Sequence, residues 1–165
     1  FIAETGCRRG EAVNLTWDCV DELSGEVEIR PRVDWTPKTR QSVRIIPINT
    51  PLLEVLRSLP KDGAYVFPGE TPDKPIGDFR KALRTAVKAA CIRRKGQPMH
   101  VTAQTLRKAH ATWQAMRGVN ESVLQGLLGH AAGSRVTKKF YVYATEEAKR
   151  AAVIQLPIPE RSKNT

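Results

Sequence analysis

The spacing of apolar residues changes along this 165-residue chain, and that change constrains the fold more than any other feature. Between residues 26 and 48 the period is two. Val27 and Ile29 alternate with Glu26, Glu28 and Arg30, and Val43 and Ile45 repeat the pattern before Pro47. Such alternation marks half-buried strands, and proline is tolerated at a sheet edge or strand end. The polar stretch Thr36 to Gln41 between the two runs reads as a hairpin tip. Elsewhere the period is helical. A helix is expected from Gly6 to about Asn14, a short one from Pro51 carrying Leu52, Leu53, Val55, Leu56 and Leu59, and one over roughly residues 78 to 92 with Phe79, Leu83, Ala86, Val87 and Ala90 on one face. Residues 69–74 read as a loop and Arg93-Arg94-Lys95-Gly96 as a basic turn. Thr102 is a suitable N-cap for a helix with the stripe Leu106, His110, Trp113 and Met116, and Val101 with Leu106 would staple its start. Gly118 stops that helix. Asn120 caps the next, stapled by Val119 and Leu124, with Val123, Leu124, Leu127 and Leu128 as its buried face. Thr145, followed by Glu146 and Glu147, suits the start of a last helix that Pro157 and Pro159 end. The pattern predicts a mainly α-helical α+β domain over residues 1–156, with a tail over 157–165.

A chain of this length can bury one real core. Its formal net charge of +10 and pI near 9.9 favour an anionic partner, with nucleic acid the first candidate and a merely solvated basic surface the other reading. No apolar run has the length of a membrane span, and no signal peptide is visible. Cys7, Cys19 and Cys91 are odd in number and lack metal-ligand spacing, which fits a reducing, cytoplasmic setting and disfavours a disulfide scaffold or zinc site. The chain opens on Phe1-Ile2-Ala3-Glu4 without an initiator Met, so a fragment with a preceding domain is expected.

Four short blocks carry the chemistry. Thr5-Gly6-Cys7-Arg8-Arg9-Gly10-Glu11 precedes Leu15-Thr16-Trp17. Lys38-Thr39 precedes Arg44-Ile45-Ile46-Pro47. Leu106-Arg107 is the third block, and Leu127-Leu128-Gly129-His130, with Tyr141 eleven residues on, is the fourth. Guanidinium groups suit the non-bridging oxygens of a phosphate, being planar, permanently charged and able to bond bidentately. A tyrosine phenol can attack phosphorus and form a covalent intermediate. In this order and spacing the blocks resemble the catalytic domain of tyrosine recombinases, the phage-integrase family, over roughly residues 3 to 155. The resemblance implies that family's catalytic fold, with a small three-stranded antiparallel sheet. It implies site-specific recombination or integration of double-stranded DNA through a 3′-phosphotyrosine, with no cofactor or metal, and self-association into a synaptic tetramer. It implies Arg8, Lys38, Arg107, His130 and Tyr141 as the catalytic set. In that scheme Glu11 braces Arg8, and Lys38 protonates the leaving 5′ oxygen. Arg40, Arg44, Arg93, Arg94, Lys95, Lys138 and Lys139 are the candidate DNA-backbone contacts.

Each residue also has a plainer reading. Arg8 and Glu11 can be a surface ion pair, Lys38 a turn lysine flanked by Arg40 and Arg44, and His130 a helix-end residue. Tyr143 rivals Tyr141, because the family frame Tyr-x-His reads here as Tyr141-Val142-Tyr143. The distance from His130 is about two residues longer than in the family, which implies an insertion near residues 132–134. The family's histidine three residues before the second arginine is Gln104 here, and the residue after that arginine is Lys108. Glutamine can donate to a phosphate oxygen but exchanges no proton at neutral pH. His110 reads as a core histidine. A type IB topoisomerase shares the proposed chemistry, and a non-catalytic DNA-binding module derived from a recombinase is the alternative outside enzymes.

Overall fold

The computed structural model describes residues 1–142, the last two as backbone only. Tyr143, the helix expected from Thr145 and the tail lie outside the described residues, as does the side chain of Tyr141. The described chain is mainly helical: α1 (Ile2–Thr5), α2 (Arg9–Val13), α3 (Thr50–Arg57), α4 (Arg80–Ala89), α5 (Ala103–Met116), α6 (Glu121–Leu128) and α7 (Arg135–Val142). Three short strands, β1 (Val20–Asp21), β2 (Glu26–Ile29) and β3 (Arg44–Pro47), make an antiparallel sheet in the order β1-β2-β3. The described residues thus form the expected α+β arrangement, mainly helical with a three-stranded antiparallel sheet.

Val27 pairs with Val20 on one side and Ile46 on the other, and Ile29 pairs with Arg44. Val27, Ile29 and Ile46 point inward and are buried. The phase of β3 differs from the sequence expectation. Val43 and Ile45 are exposed, and the inward positions are Arg44 and Ile46. A polar side chain at an inward position defeats a reading based on apolar alternation. The hairpin tip also shifts. Arg32 bridges Trp35, which makes Val33 and Asp34 the tip and leaves Lys38 on the returning arm, just before a 3-10 turn at Arg40–Ser42. The basic turn after α4 is a second, two-stranded ribbon, β4 (Arg93–Arg94) against β5 (Gln97–Pro98). Lys95 and Gly96 between them both have positive φ, the geometry of a tight hairpin turn.

The core has two parts. One joins Ile2, Cys7, Ala12 and Leu15 to the inner sheet face and to Leu52 and Leu56 of α3. The other packs α5, α6 and α7 around Ala111, Leu124 and Leu128. On α5 the buried residues are His110 and Ala111, while Trp113 and Met116 are exposed, contrary to the expected stripe; on α6 Val123 is exposed as well. The helix ends follow the sequence expectation. Thr102 accepts from the backbone N–H of Thr105, Asn120 accepts from Ser122, and Gly129 ends α6 in the left-handed conformation at φ 61°. α1 packs on α5 and so joins the two parts of the core.

Candidate active site

The C-terminus of α6 lies where the two core clusters meet. A helix end leaves its last carbonyls without partners and carries partial negative charge, so cations are favoured there. In this protein three consecutive carbonyls each hold a different arginine. Arg44 Nε donates to Leu127 O at 2.7 Å, Arg107 Nη2 donates to Leu128 O at 2.7 Å, and Arg8 Nη2 donates to Gly129 O at 3.0 Å. The Leu-Leu-Gly-His block thus acts mainly through its backbone.

Each arginine arrives from a separate element. Arg8 precedes the first turn of α2, and Glu11 in that turn accepts both its backbone N–H at 2.8 Å and its Nη1 at 2.7 Å. Arg44 comes inward from β3 and donates through Nη2 at 2.9 Å to Glu11 Oε2, the oxygen that also accepts the Arg8 backbone N–H, and through Nη1 to Ser42 O at 2.7 Å. Arg107, in the second turn of α5, also donates to Gly6 O at 2.6 Å. Gly6 caps α1 with φ 64°, and a Cβ there would lie 2.6 Å from His110 Cδ2. Only glycine allows α1 to end this close to α5 and present its carbonyl to Arg107.

Glu11 is the carboxylate beneath these guanidiniums. Its burial opposes ionisation, but hydrogen bonds and charge from Arg44, with hydrogen bonds from Arg8, outweigh that and hold its pKa below the usual carboxylate value. Arg107 is pushed down to about 10 by burial and then by the charge of Arg8, and so stays protonated at neutral pH. Three guanidiniums facing one carboxylate leave the cluster positive and suited to an anion with several oxygens.

His130 follows directly. Its Nε2 lies 2.9 Å from Arg107 Nη2 and its Nδ1 lies 2.8 Å from Thr137 Oγ1. Burial, then the charges of Arg107, Arg8 and Arg44, lower its pKa to about 4, so the ring is neutral at physiological pH. From His130 the chain enters α7, which carries Thr137 and reaches Tyr141.

The structure therefore brings together Arg8, Glu11, Arg107 and His130, four of the residues the sequence singled out. It also turns Arg44 into the cluster. Its side chain, expected among the DNA-backbone contacts, is 8% exposed here and occupied by Glu11, Leu127 and Ser42. Lys38 is exposed and stands outside the hydrogen-bonded cluster. Its neighbour Thr39 meets Ser42 Oγ at 2.9 Å, and Ser42 accepts from Arg8 at 2.9 Å, so the lysine-bearing arm is tied to the site through the residue next to Lys38. Gln104 lies in the first turn of α5, exposed in a surface cavity with Arg9, Arg84, His100 and Thr102. His110 is buried, its Nδ1 3.1 Å from Ala3 O, as a core histidine should be. Arg40, Arg93, Arg94, Lys95, Lys138 and Lys139 are exposed. Ser42 carries no signal in the sequence, because its partner Arg8 is thirty-four positions away, and Thr137 belongs to none of the four blocks although His130 is only seven residues before it.

The chain matches the phage integrase family over residues 1–147. No curated protein matches the sequence. Among solved structures, the integrase of the Tn1549 transposon, in complex with a circular-intermediate DNA, is similar at 22% identity and a TM-score of 0.71, over 94% of this chain and 56% of that one. XerA recombinase is similar at 24% identity and a TM-score of 0.69, over 96% of this chain and 56% of that one. The catalytic domain of bacteriophage HP1 integrase is similar at 25% identity and a TM-score of 0.58, over 95% of this chain and 79% of that one. This chain thus spans little more than half the length of the first two. The family match, which begins at residue 1 and takes in every element described above, makes this chain a member of the phage integrase family.

Proposed function

We propose that this chain is the catalytic domain of an enzyme that recombines double-stranded DNA at specific sites in the cytoplasm, by cleaving and rejoining strands through a 3′-phosphotyrosine. The observation that carries the reading is the trio of arginines held on successive carbonyls of α6, with neutral His130 beside Arg107 and α7 leading from it to Tyr141. A scissile phosphate in this site would take N–H groups from Arg8 and Arg107, which stabilise charge as it builds on the non-bridging oxygens. Arg44 and Glu11 hold that pair in place. Tyr141 attacks phosphorus, its phenolic proton passing to water, and the bond from phosphorus to the 5′ oxygen breaks as that oxygen takes a proton from Lys38, whose arm closes over the DNA. The ester keeps the bond energy, so a 5′ hydroxyl can reverse the step with no nucleotide or metal. Synapsis of four such subunits on DNA would exchange the strands.

The test uses nicked duplexes, built from the DNA flanking the gene, that release the leaving strand and trap the covalent adduct. Wild type should form the adduct with or without a chelator. Tyr141→Phe should abolish it and leave DNA affinity nearly unchanged, while Tyr143→Phe should be milder. An adduct lost only in the Tyr143 variant would move the nucleophile. DNA binding with no adduct from wild type would make this a binding module. Plasmid relaxation without strand exchange would favour topoisomerase chemistry.

A further inference from the structure

Thr137 is fully buried in α7, four residues and so one helical turn before Tyr141. Its hydroxyl meets His130 Nδ1 at 2.8 Å, while His130 Nε2 meets Arg107 Nη2 at 2.9 Å. A guanidinium has donors only, so Nε2 must present its lone pair to Arg107. The imidazole proton is then on Nδ1, donated to Thr137 Oγ1. To contact a phosphate oxygen, Nε2 must instead donate, and a neutral ring does so only as the other tautomer, with Nδ1 accepting. A backbone carbonyl or a carboxylate opposite Nδ1 would fix the first tautomer. A hydroxyl can accept or donate by rotating, and so supports both.

We propose that Thr137 is a positioning residue whose hydroxyl lets His130 change tautomer when a DNA phosphate enters the site. Without DNA, Nδ1–H donates to Thr137 and Nε2 accepts from Arg107. With phosphate bound, Arg107 turns to the phosphate, Nε2–H donates to a phosphate oxygen, and Thr137 O–H donates to Nδ1. One proton leaves Nδ1 to water and one is taken up from water at Nε2, so the ring stays neutral throughout. The groups facing the ring are Arg107 from α5, Arg8 from the cap of α2, Glu11 from α2 and Arg44 from β3, and the three arginines disfavour a doubly protonated ring. The same bond ties α7 to His130, so seating of the phosphate reaches the helix that carries Tyr141. This inference rests on the DNA-cleaving reading above.

The tautomer can be read directly from ¹⁵N shifts of the histidine rings. The chain has only three histidines, and the His130 signals are those lost in His130→Gln. In wild type without DNA, the Nδ1–H form is expected, changing to Nε2–H with saturating nicked duplex at low salt. Thr137→Ser and Thr137→Ala remove the same methyl group and differ only in the hydroxyl. The serine variant should keep the tautomer change and near-normal adduct formation. The alanine variant should mix tautomers without DNA and form adduct about tenfold to a hundredfold more slowly in a single turnover. An Nε2–H ring without DNA, no change on DNA, or identical serine and alanine variants would overturn the proposal. If the alanine variant fails to fold, the wild-type and serine spectra still decide. A tautomer change without any adduct would sink the cleavage reading and leave Thr137's role standing.

Discussion

Glu11 pairs one carboxylate oxygen with the Arg8 guanidinium and the other with that of Arg44, the second also accepting the Arg8 backbone N–H, and its side chain is 1% exposed. Removing one partner from a buried ion cluster leaves an uncompensated charge, which costs about 3–5 kcal/mol. Glu11→Gln should lower the urea midpoint of unfolding by a corresponding amount and also reduce adduct formation, because Arg8 loses its brace. The pH dependence has a definite sign. Glu11 titrates lower folded than unfolded, so its stabilisation is complete above the ordinary carboxylate pKa and is lost as pH falls through the folded one. Below about pH 4 wild type should therefore lose stability more steeply than Glu11→Gln. His130 acts in a separate window. Its folded pKa is about 4, against roughly 6.5 when unfolded, so between those values the unfolded chain binds the proton and the folded site does not. Stability should fall as pH drops from 6.5 to 4, and His130→Gln should flatten that slope. Some slope should remain, because burial also depresses His110.

At the scale of elements, the end of α6 gathers the arginines. Gly129 stands at φ 61°, and a Cβ there would lie 2.9 Å from Arg44 Nη1 and 3.1 Å from Gln41 O. Gly129→Ala should cost about 1–3 kcal/mol from the left-handed backbone alone, with more from displacing Arg44, and should slow adduct formation. Unfolding and single-turnover cleavage check both effects. Local chemistry is why helix ends were legible in the sequence: the caps Thr102, Asn120 and Gly129 satisfy orphaned backbone groups within a few residues. Arg8, Glu11, Arg107 and His130 were legible as a set because motif order stands in for proximity. The phase of β3 was not legible, because Arg44 is an inward residue paired with a carboxylate thirty-three positions earlier. The face of α5 was misjudged for a related reason. Periodicity cannot choose between Trp113, which is exposed, and Ala111, which is fully buried, when alanine carries so little apolar weight.

For the molecule as a whole, the net charge of +10 is not spread evenly in kind. Arg44 and Glu11 neutralise each other inside, while the ribbon residues Arg93, Arg94 and Lys95 and the α7 lysines Lys138 and Lys139 lie exposed. DNA affinity should then follow the exposed cations, falling about a thousandfold between 50 and 200 mM salt for roughly six phosphate contacts. A fluorescence-anisotropy salt titration checks this, and alanine at Arg93 and Arg94 should reduce the slope where alanine at Arg44 should mainly cost stability. The arginine-carbonyl contacts have another consequence, for how such a protein ages. Arg107 links the end of α1 to the end of α6 through Gly6 O and Leu128 O, so it fastens the two halves of the core together. Selection for folding alone would retain it. On the proposed reading, a descendant that had stopped cutting DNA would still carry Arg107, and the first record of lost activity would be written at the proposed nucleophile, Tyr141.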